Sequence, residues 1–340
     1  MKSKKGQVMG FLIDMIDVGY GDSFLLTLDH PDGGEAYVLI DGGKSDKGNT
    51  IVEHLKKFAD GHISLVIGTH LDDDHIGGLK AVAESFDIGT FIFNVPGDLS
   101  AWLELKEIYE YFGRKAASKR VLIESLETAN QLLSILRRKG IKVEEALQGK
   151  GWRCGDIILR VLNPNPERIN AAWAEEVLES SKVSIIAESF AVRYDSEAPE
   201  TTASNNAGII IELEYKGQPY ALFTADAGAE VLKEVTEGKS YTFLKIPHHG
   251  SKTGLDEELA YQLQPKTAYL PVGENSHGHP ATEVLDMLKK VGAQTYCTQK
   301  TNYCRKACTY RGFGTLSHKR DKEGHAGWSS AESINCLNNL

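Results

Sequence analysis

The first forty positions carry apolar runs broken by turn residues: Met9 to Val18, Ser23 to Leu28 and Ala36 to Ile40, separated by Gly19–Gly21 and Pro31-Asp32-Gly33-Gly34. Runs of that length between glycine and proline clusters predict three antiparallel strands. Ile51, Leu55 and Phe58 repeat at helical spacing, and Ile63 to Ile67 is continuously apolar, so a helix and then a buried strand follow. Strand, helix and strand in alternation indicate a layered α/β domain.

From Gly97 to Gly140 the period changes. Leu105, Ile108, Tyr109 and Phe112 share one helical face, as do Leu126, Ala129, Leu133 and Leu136, which predicts two helices covering a sheet. Between 163 and 204 the pattern weakens: Pro164 and Pro166 stop a strand, Ala171 to Leu178 reads as helix, and Asp195 to Ser204 is polar. A long connection of that kind is either a lid over a site or a tether. Order returns with a hairpin, Ile209 to Tyr215 and Tyr220 to Thr224 around Lys216-Gly217, ending at Asp226. Strands at Tyr241–Ile246 and Thr267–Leu270 then alternate with helices from Ala229, near Leu255–Leu263 and over Ala281–Leu288. The second half therefore echoes the first.

Chemistry is concentrated in Thr69-His70-Leu71-Asp72-Asp73-Asp74-His75-Ile76-Gly77-Gly78, directly after the buried run. Two imidazoles and two carboxylates spaced as His-x-Asp-x-Asp-His are metal-ligand types, and alternate residues leaving a strand can converge. His70 and Asp72 are expected to reach one cation, and Asp74 and His75 another. A second histidine-rich stretch, Pro247-His248-His249-Gly250-Ser251, follows a strand. Neighbouring side chains on extended backbone point opposite ways, so one of His248 and His249 is expected to face metal. His279, in Gly278-His279-Pro280, ends another strand and is the rival ligand.

The 340-residue chain is long enough for two domains, although one catalytic domain with insertions is the economical organisation. No run of 18 apolar residues occurs and the start lacks an apolar signal core, so a soluble cytoplasmic protein without a membrane partner is expected. Five cysteines without a Cys-x-x-Cys pair suit a reducing compartment. Net charge is −9, which excludes a protein coating nucleic acid over its whole surface but not a nuclease. Charge is uneven: Thr298 to Gly324 carries seven Lys or Arg against two acids, leaving the remainder at −14. That stretch is interleaved with Tyr303, Tyr310 and Phe313, which can stack on bases, so Arg305, Lys306 and Arg311 are expected to grip a nucleic-acid backbone. Cys304, Cys308, Cys336 and His318 fit no strong zinc-finger spacing.

The motif at 70–75 resembles the signature of the metallo-β-lactamase superfamily, with Asp72 where the second histidine usually stands. That departure, with Gly77-Gly78, looks like the soluble hydrolase domain of ComEC competence proteins. Ile16 to Ser23, Leu39 to Gly43, Ser204-Asn205-Asn206, Phe223 to Asp226, Pro247 to Ser251 and Gly278 to Pro280 follow in family order, over about residues 8 to 297. The resemblance implies an αββα sandwich, two β-sheets packed face to face with helices outside. It would occupy residues 1–297, with the helical stretch at 97–140 as an insertion and 163–204 as a lid or a tether, followed by a basic extension at 298–340.

It also implies roles. Asp226 would bridge two divalent ions, with His70, Asp72, Asp74, His75 and His248 completing the metal set. Asp74, His249 and His279 would serve catalysis or proton transfer, and Ser251 and Lys252 would meet substrate. Asn205 and Asn206 stand where the family has a third histidine. An amide oxygen is a harder ligand than imidazole, which favours Mn²⁺ or Mg²⁺, although raw affinity still ranks Zn²⁺ higher. Asp22, Ser23 and Asp41 are expected to support from behind.

The function so implied is a metal-dependent phosphodiesterase, a nuclease acting on DNA, in which a hydroxide shared by two cations attacks phosphorus and a histidine protonates the leaving oxygen. One alternative is a hydrolase of a small ester, lactone or cyclic nucleotide, favoured by a narrow pocket closed by 163–204. Another is a catalytically idle metal-binding subunit serving an unknown protein partner.

Overall fold

In a computed structural model of the chain, the structure describes residues 10–94, 117–172, 202–304, 311–312, 314–320 and 326–330. The three expected opening strands are β1 (Phe11–Met15), β2 (Phe24–Asp29) and β3 (Glu35–Ile40), paired antiparallel in that order. After α1 (Gly48–Leu55), β4 (His62–Gly68) joins β3 in parallel, and after α2 (Asp73–Ile76) and α3 (Leu79–Ser85) comes β5 (Asp87–Phe93). Of the two helices expected between 97 and 140, α4 (Ala117–Arg138) is the second; the first lies outside the described residues. Strands β6 (Lys142–Glu144), β7 (Gly151–Cys154) and β8 (Ile157–Asn163) follow. A helix begins at 166, and the rest of the expected lid, 173–201, lies outside the described residues.

The second half reads α5 (Ala203–Asn206), β9 (Ile210–Tyr215), β10 (Gln218–Phe223), α6 (Ala229–Val235), β11 (Phe243–Lys245), α7 (Glu257–Leu263), β12 (Thr267–Leu270), α8 (Thr282–Lys290) and β13 (Gln294–Cys297). Lys216 and Gly217 turn the β9–β10 hairpin with positive φ at both positions, as a two-residue connection of right-twisted strands requires.

Among the described residues two eight-stranded sheets result, ordered β16 (Ala326–Ser330)-β15 (Leu316–Arg320)-β1-β2-β3-β4-β5-β6 and β14 (Arg311–Gly312)-β13-β12-β11-β10-β9-β8-β7. The alternation along each strand sorts side chains between layers. Phe11, Ile13, Met15, Phe24 and Ile67 meet Val161, Phe223, Phe243 and Tyr269 between the sheets. Leu25, Leu39 and Val66 face α1, α3 and α4, whereas Leu222, Leu244 and Ala268 face α6 to α8. This is the expected αββα sandwich.

The boundary expected after Cys297 does not end the sandwich. The last strands are β14 (Arg311–Gly312), which joins β13, and β15 (Leu316–Arg320), which pairs antiparallel with β1, while β16 (Ala326–Ser330) extends that sheet. His318 enters the inter-sheet core, its Nε2 2.9 Å from Tyr220 Oη and its Nδ1 3.0 Å from Tyr269 Oη. Both nitrogens are thereby engaged, so His318 takes no part in a cysteine-histidine cluster. The basic stretch thus contributes strands to both sheets, closing one flank of the sandwich. Among the described residues no helix is long and apolar enough to cross a membrane.

Candidate metal centre

The site lies at one end of the sandwich, where β3 and β4 of one sheet and β10, β11 and β12 of the other deliver their carboxyl-terminal loops. The turn after β1 brings Asp22, the end of β3 brings Asp41, and β4 leads into His70 and α2. Close backbone approach locks these loops together. Asp22 N donates to the Asp74 carbonyl at 3.0 Å, and a Cβ on Gly21 would lie 2.5 Å from that same oxygen.

The acidic triplet separates by role. Asp73 is diverted to a surface loop, accepting from Ser45 Oγ at 2.6 Å. Asp72 occupies the N-cap of α2 without a side-chain capping bond, and its Oδ2 lies 3.6 Å from His70 Nε2. Asp74 Oδ2 lies 3.3 Å from His249 Nε2. His75 is wholly buried, with Nε2 3.3 Å from Asp226 Oδ2.

Asp226 is the meeting point. Besides His75, its Oδ2 faces His249 Nε2 at 3.6 Å and His248 Nε2 at 3.8 Å. A helix-capping role for it is excluded, because the N-cap of α6 is Gly228, whose N–H donates to Asn206 Oδ1 at 3.0 Å. That bond also commits the Asn206 oxygen away from the metal position expected for it. The segment nevertheless adjoins the centre, since a Cβ on Gly208 would fall 3.8 Å from His70 Nδ1. Asn205 is buried there, its backbone N–H bonded to Thr202 Oγ1.

The paired histidines are not on extended backbone. Both adopt left-handed φ, 48° for His248 and 51° for His249, in a tight turn over Pro247–Gly250. Side-chain alternation therefore does not decide between them: His249 is fully buried against Asp74 and Asp226, whereas His248, the ligand expected, is a quarter exposed at the mouth. His279 stands beside His248, ring centroids 5.3 Å apart, with Nδ1 3.0 Å from Tyr20 Oη. Lys252 is exposed, and Ser251 Oγ pairs with Thr253 Oγ1. Arg305 and Lys306 lie outside the described residues, and Arg311 contributes backbone to β14.

Supporting residues fix the imidazole tautomers. The Pro271 carbonyl can only accept, so His249 Nδ1, 2.9 Å away, carries its hydrogen. His75 Nδ1 likewise donates to Asp41 Oδ2 at 2.9 Å, and Asp41 is itself held by Thr69 N and Thr69 Oγ1, each at 2.8 Å. This leaves the Nε2 atoms of His75 and His249 turned inward. With His70 Nε2 they are buried and make no well-aligned hydrogen bond. Buried polar atoms rarely stay unpaired, and three imidazole nitrogens around carboxylate oxygens are a donor set that a divalent cation satisfies. His70, His75 and Asp226 form one such group. Asp22, His75 and His249 also lie close together, but the facing nitrogens there are the protonated Nδ1 atoms, so that side supports ligands rather than holding metal.

Sequence reasoning missed Lys245. It is the only lysine or arginine that is fully buried among the described residues. Its Nζ contacts Asp22 Oδ2 closely, donates to the Ala225 carbonyl at 2.6 Å and lies 3.3 Å from Asp226 Oδ1. A charged residue within the otherwise apolar run Phe243-Leu244-Lys245-Ile246 was the available signal.

Electrostatics follow from this crowding. Burial opposes the charged forms throughout, but Asp226 and Asp22 hold His75 well above the usual imidazole range, and Asp226 and Asp74 raise His249. Asp226 is lowered because His75, His249 and Lys245 together outweigh its burial. At the mouth burial prevails: it lowers His248 and pushes His279 down to about 4. Burial raises Tyr20, helped by Asp74 and Asp226.

Residues 16–161 match the model of the metallo-beta-lactamase superfamily. The chain is similar to ComE operon protein 3 of Bacillus subtilis (strain 168), 24% identical over 298 residues, which are 82% of this chain and 30% of that protein. It thus spans less than a third of that relative's length. Among solved structures, Igni18, a metallo hydrolase from Ignicoccus hospitalis KIN4/I, is 16% identical with a TM-score of 0.42, over 84% of this chain and 94% of that one. YhfI of Bacillus subtilis, a metallo-beta-lactamase fold protein, is 10% identical with a TM-score of 0.40, over 84% and 95%. CmlA, a diiron beta-hydroxylase from Streptomyces venezuelae, is 14% identical with a TM-score of 0.41, over 84% and 52%.

Proposed function

We propose that the chain is a metallo-β-lactamase-superfamily protein, as the match over residues 16–161 supports, and a metal-dependent hydrolase whose substrates are phosphodiesters, DNA foremost. The observation that carries the hydrolase reading is the gathering of the buried Nε2 atoms of His75 and His249 on Asp226 Oδ2, with His70 in the same cluster and Asp72 and Asp74 at the rim. The substrate class rests on the resemblance to the ComEC hydrolase domain, with which the similarity to ComE operon protein 3 agrees.

His70, Asp72, Asp74, His75, His249 and Asp226 are the residues that would hold divalent cations, with Mn²⁺, Zn²⁺ and Mg²⁺ as candidates. Bound there, they would polarise a phosphoryl oxygen and lower the pKa of a water. The protein's own groups do the rest. Asp41 and the Pro271 carbonyl orient His75 and His249. The hydrogen bond between Tyr20 Oη and His279 Nδ1, 3.0 Å long, holds the His279 ring at the mouth. Burial keeps His248 and His279 neutral near pH 7, and an arriving phosphodiester anion favours their protonated forms, which suits transfer of a proton to the leaving oxygen.

A panel of labelled single- and double-stranded DNA, RNA and bis-p-nitrophenyl phosphate, each with Mn²⁺, Mg²⁺ or Zn²⁺, tests the reading. Cleavage of DNA and of the small diester that EDTA abolishes is expected. Turnover of a lactone or carboxylic ester, with every phosphodiester untouched under all three metals, would overturn the phosphodiesterase reading in favour of a small-ester hydrolase.

A further inference from the structure

Lys245 differs from the other residues of the centre because it brings positive charge to a place where the fold supplies negative charge. Asp22, Asp41, Asp72, Asp74 and Asp226 gather at this end of the sandwich, and Asp22, Asp41 and Asp226 are each at most 3% exposed. The three hydrogens of the Lys245 ammonium find three oxygens: Asp22 Oδ2, Asp226 Oδ1 and the Ala225 carbonyl. Ala225 has a φ of 48°, so the backbone takes a left-handed turn to aim that carbonyl inward. Two carboxylates and a carbonyl are the ligand types a hard divalent cation selects.

We propose that Lys245 is a built-in cation of the centre: its ammonium fills an all-oxygen cradle that would otherwise take a metal ion, and so holds Asp226 with one oxygen inward and the other facing the histidines. The proposal rests on the metal-centre reading above. Two consequences follow from covalent attachment. The charge stays in place whatever the metal supply, so the repulsion between Asp22 and Asp226 is offset and both are held in position before any cation arrives. The inner oxygen of Asp226 is also taken, which leaves Oδ2 as its atom for metal.

The test is Lys245→Ala, with bound cations counted by native mass spectrometry and by elemental analysis after loading with Mn²⁺, and thermal unfolding followed with and without EDTA. The truncation empties the cradle and leaves its oxygens in place. The variant is expected to bind one more cation than the parent and to lose more thermal stability than the parent when EDTA is added. A folded variant with the parent's count and the parent's response to EDTA overturns the proposal. A parent that binds no divalent cation overturns the metal-centre reading itself, which separates the two failures. Should Lys245→Ala be recovered only unfolded, Asp22→Asn combined with Lys245→Ala decides, because it removes the acid that the lysine balances. That double variant is expected to fold and to bind the parent's number of cations. An extra cation, or failure to fold with metal present, overturns the proposal.

Discussion

His318 gives the sharpest prediction about stability, because a neutral imidazole in the inter-sheet core must resist protonation. It bridges Tyr220 and Tyr269, Phe243 packs edge-on against its ring at 5.5 Å between centroids, and burial together with Arg320 pushes it down to about 4. In the unfolded chain the group titrates near 6.5. The unfolded state therefore binds the proton first, and the stability that neutral His318 contributes is present above pH 6.5 and lost as pH falls toward 4. At about 1.4 kcal/mol per pKa unit the full loss is about 3 kcal/mol, of which about 2.5 kcal/mol is reached by pH 4.5. His318→Gln cannot take up that proton. At pH 7 it should be less stable than the parent by about 1–3 kcal/mol, having lost packing and one of two hydrogen bonds. Urea unfolding at pH 7 and pH 4.5, with EDTA throughout so that metal release does not contribute, should show the gap shrinking by about 2 kcal/mol or reversing. A gap independent of pH would refute the reasoning and mean that His318 is not held neutral in the core.

Two further outcomes bear on the centre. Asp41→Asn, which keeps the shape but presents an amide to His75 Nδ1–H, should weaken metal binding about 10- to 100-fold while leaving the fold intact. Competition against a chromophoric chelator measures this, and an unchanged affinity would show that the orientation of His75 does not depend on Asp41. Gly21→Ala places a Cβ 2.5 Å from the Asp74 carbonyl at a φ of +145°, so it should cost about 1–3 kcal/mol and displace Asp74. Thermal unfolding and metal titration should change together; a fully active variant of parental stability would mean the loop absorbs the methyl group.

The sequence by itself determined the layers. Apolar runs at β1 to β4 and β9 to β12, with helical spacing between, specify buried strands and one-faced helices in a layered α/β domain, which the resemblance carried by the motifs narrows to an αββα sandwich. The density of His and Asp at 70–75 likewise pointed to metal chemistry, because imidazole and carboxylate ligand types stand together directly after a buried strand. Choices that depend on contacts far apart in the chain were not legible. Which of Asp72, Asp73 and Asp74 turns inward is decided by Ser45, which draws Asp73 away. Asn206 caps the turn after Asp226 instead of offering its oxygen to metal, since Gly228 N lies within reach. His249 takes the inner place through left-handed backbone geometry that strand alternation does not foresee. The stretch after Cys297 reads as a basic tail in composition, yet β15 pairs with β1 more than three hundred residues earlier and places His318 between two tyrosines of the other sheet. Lys245 was invisible as a partner for the same reason: the charges that hold it, Asp22 and Asp226, are 223 and 19 residues away in the chain, and only the packing of the two sheets brings those three groups together.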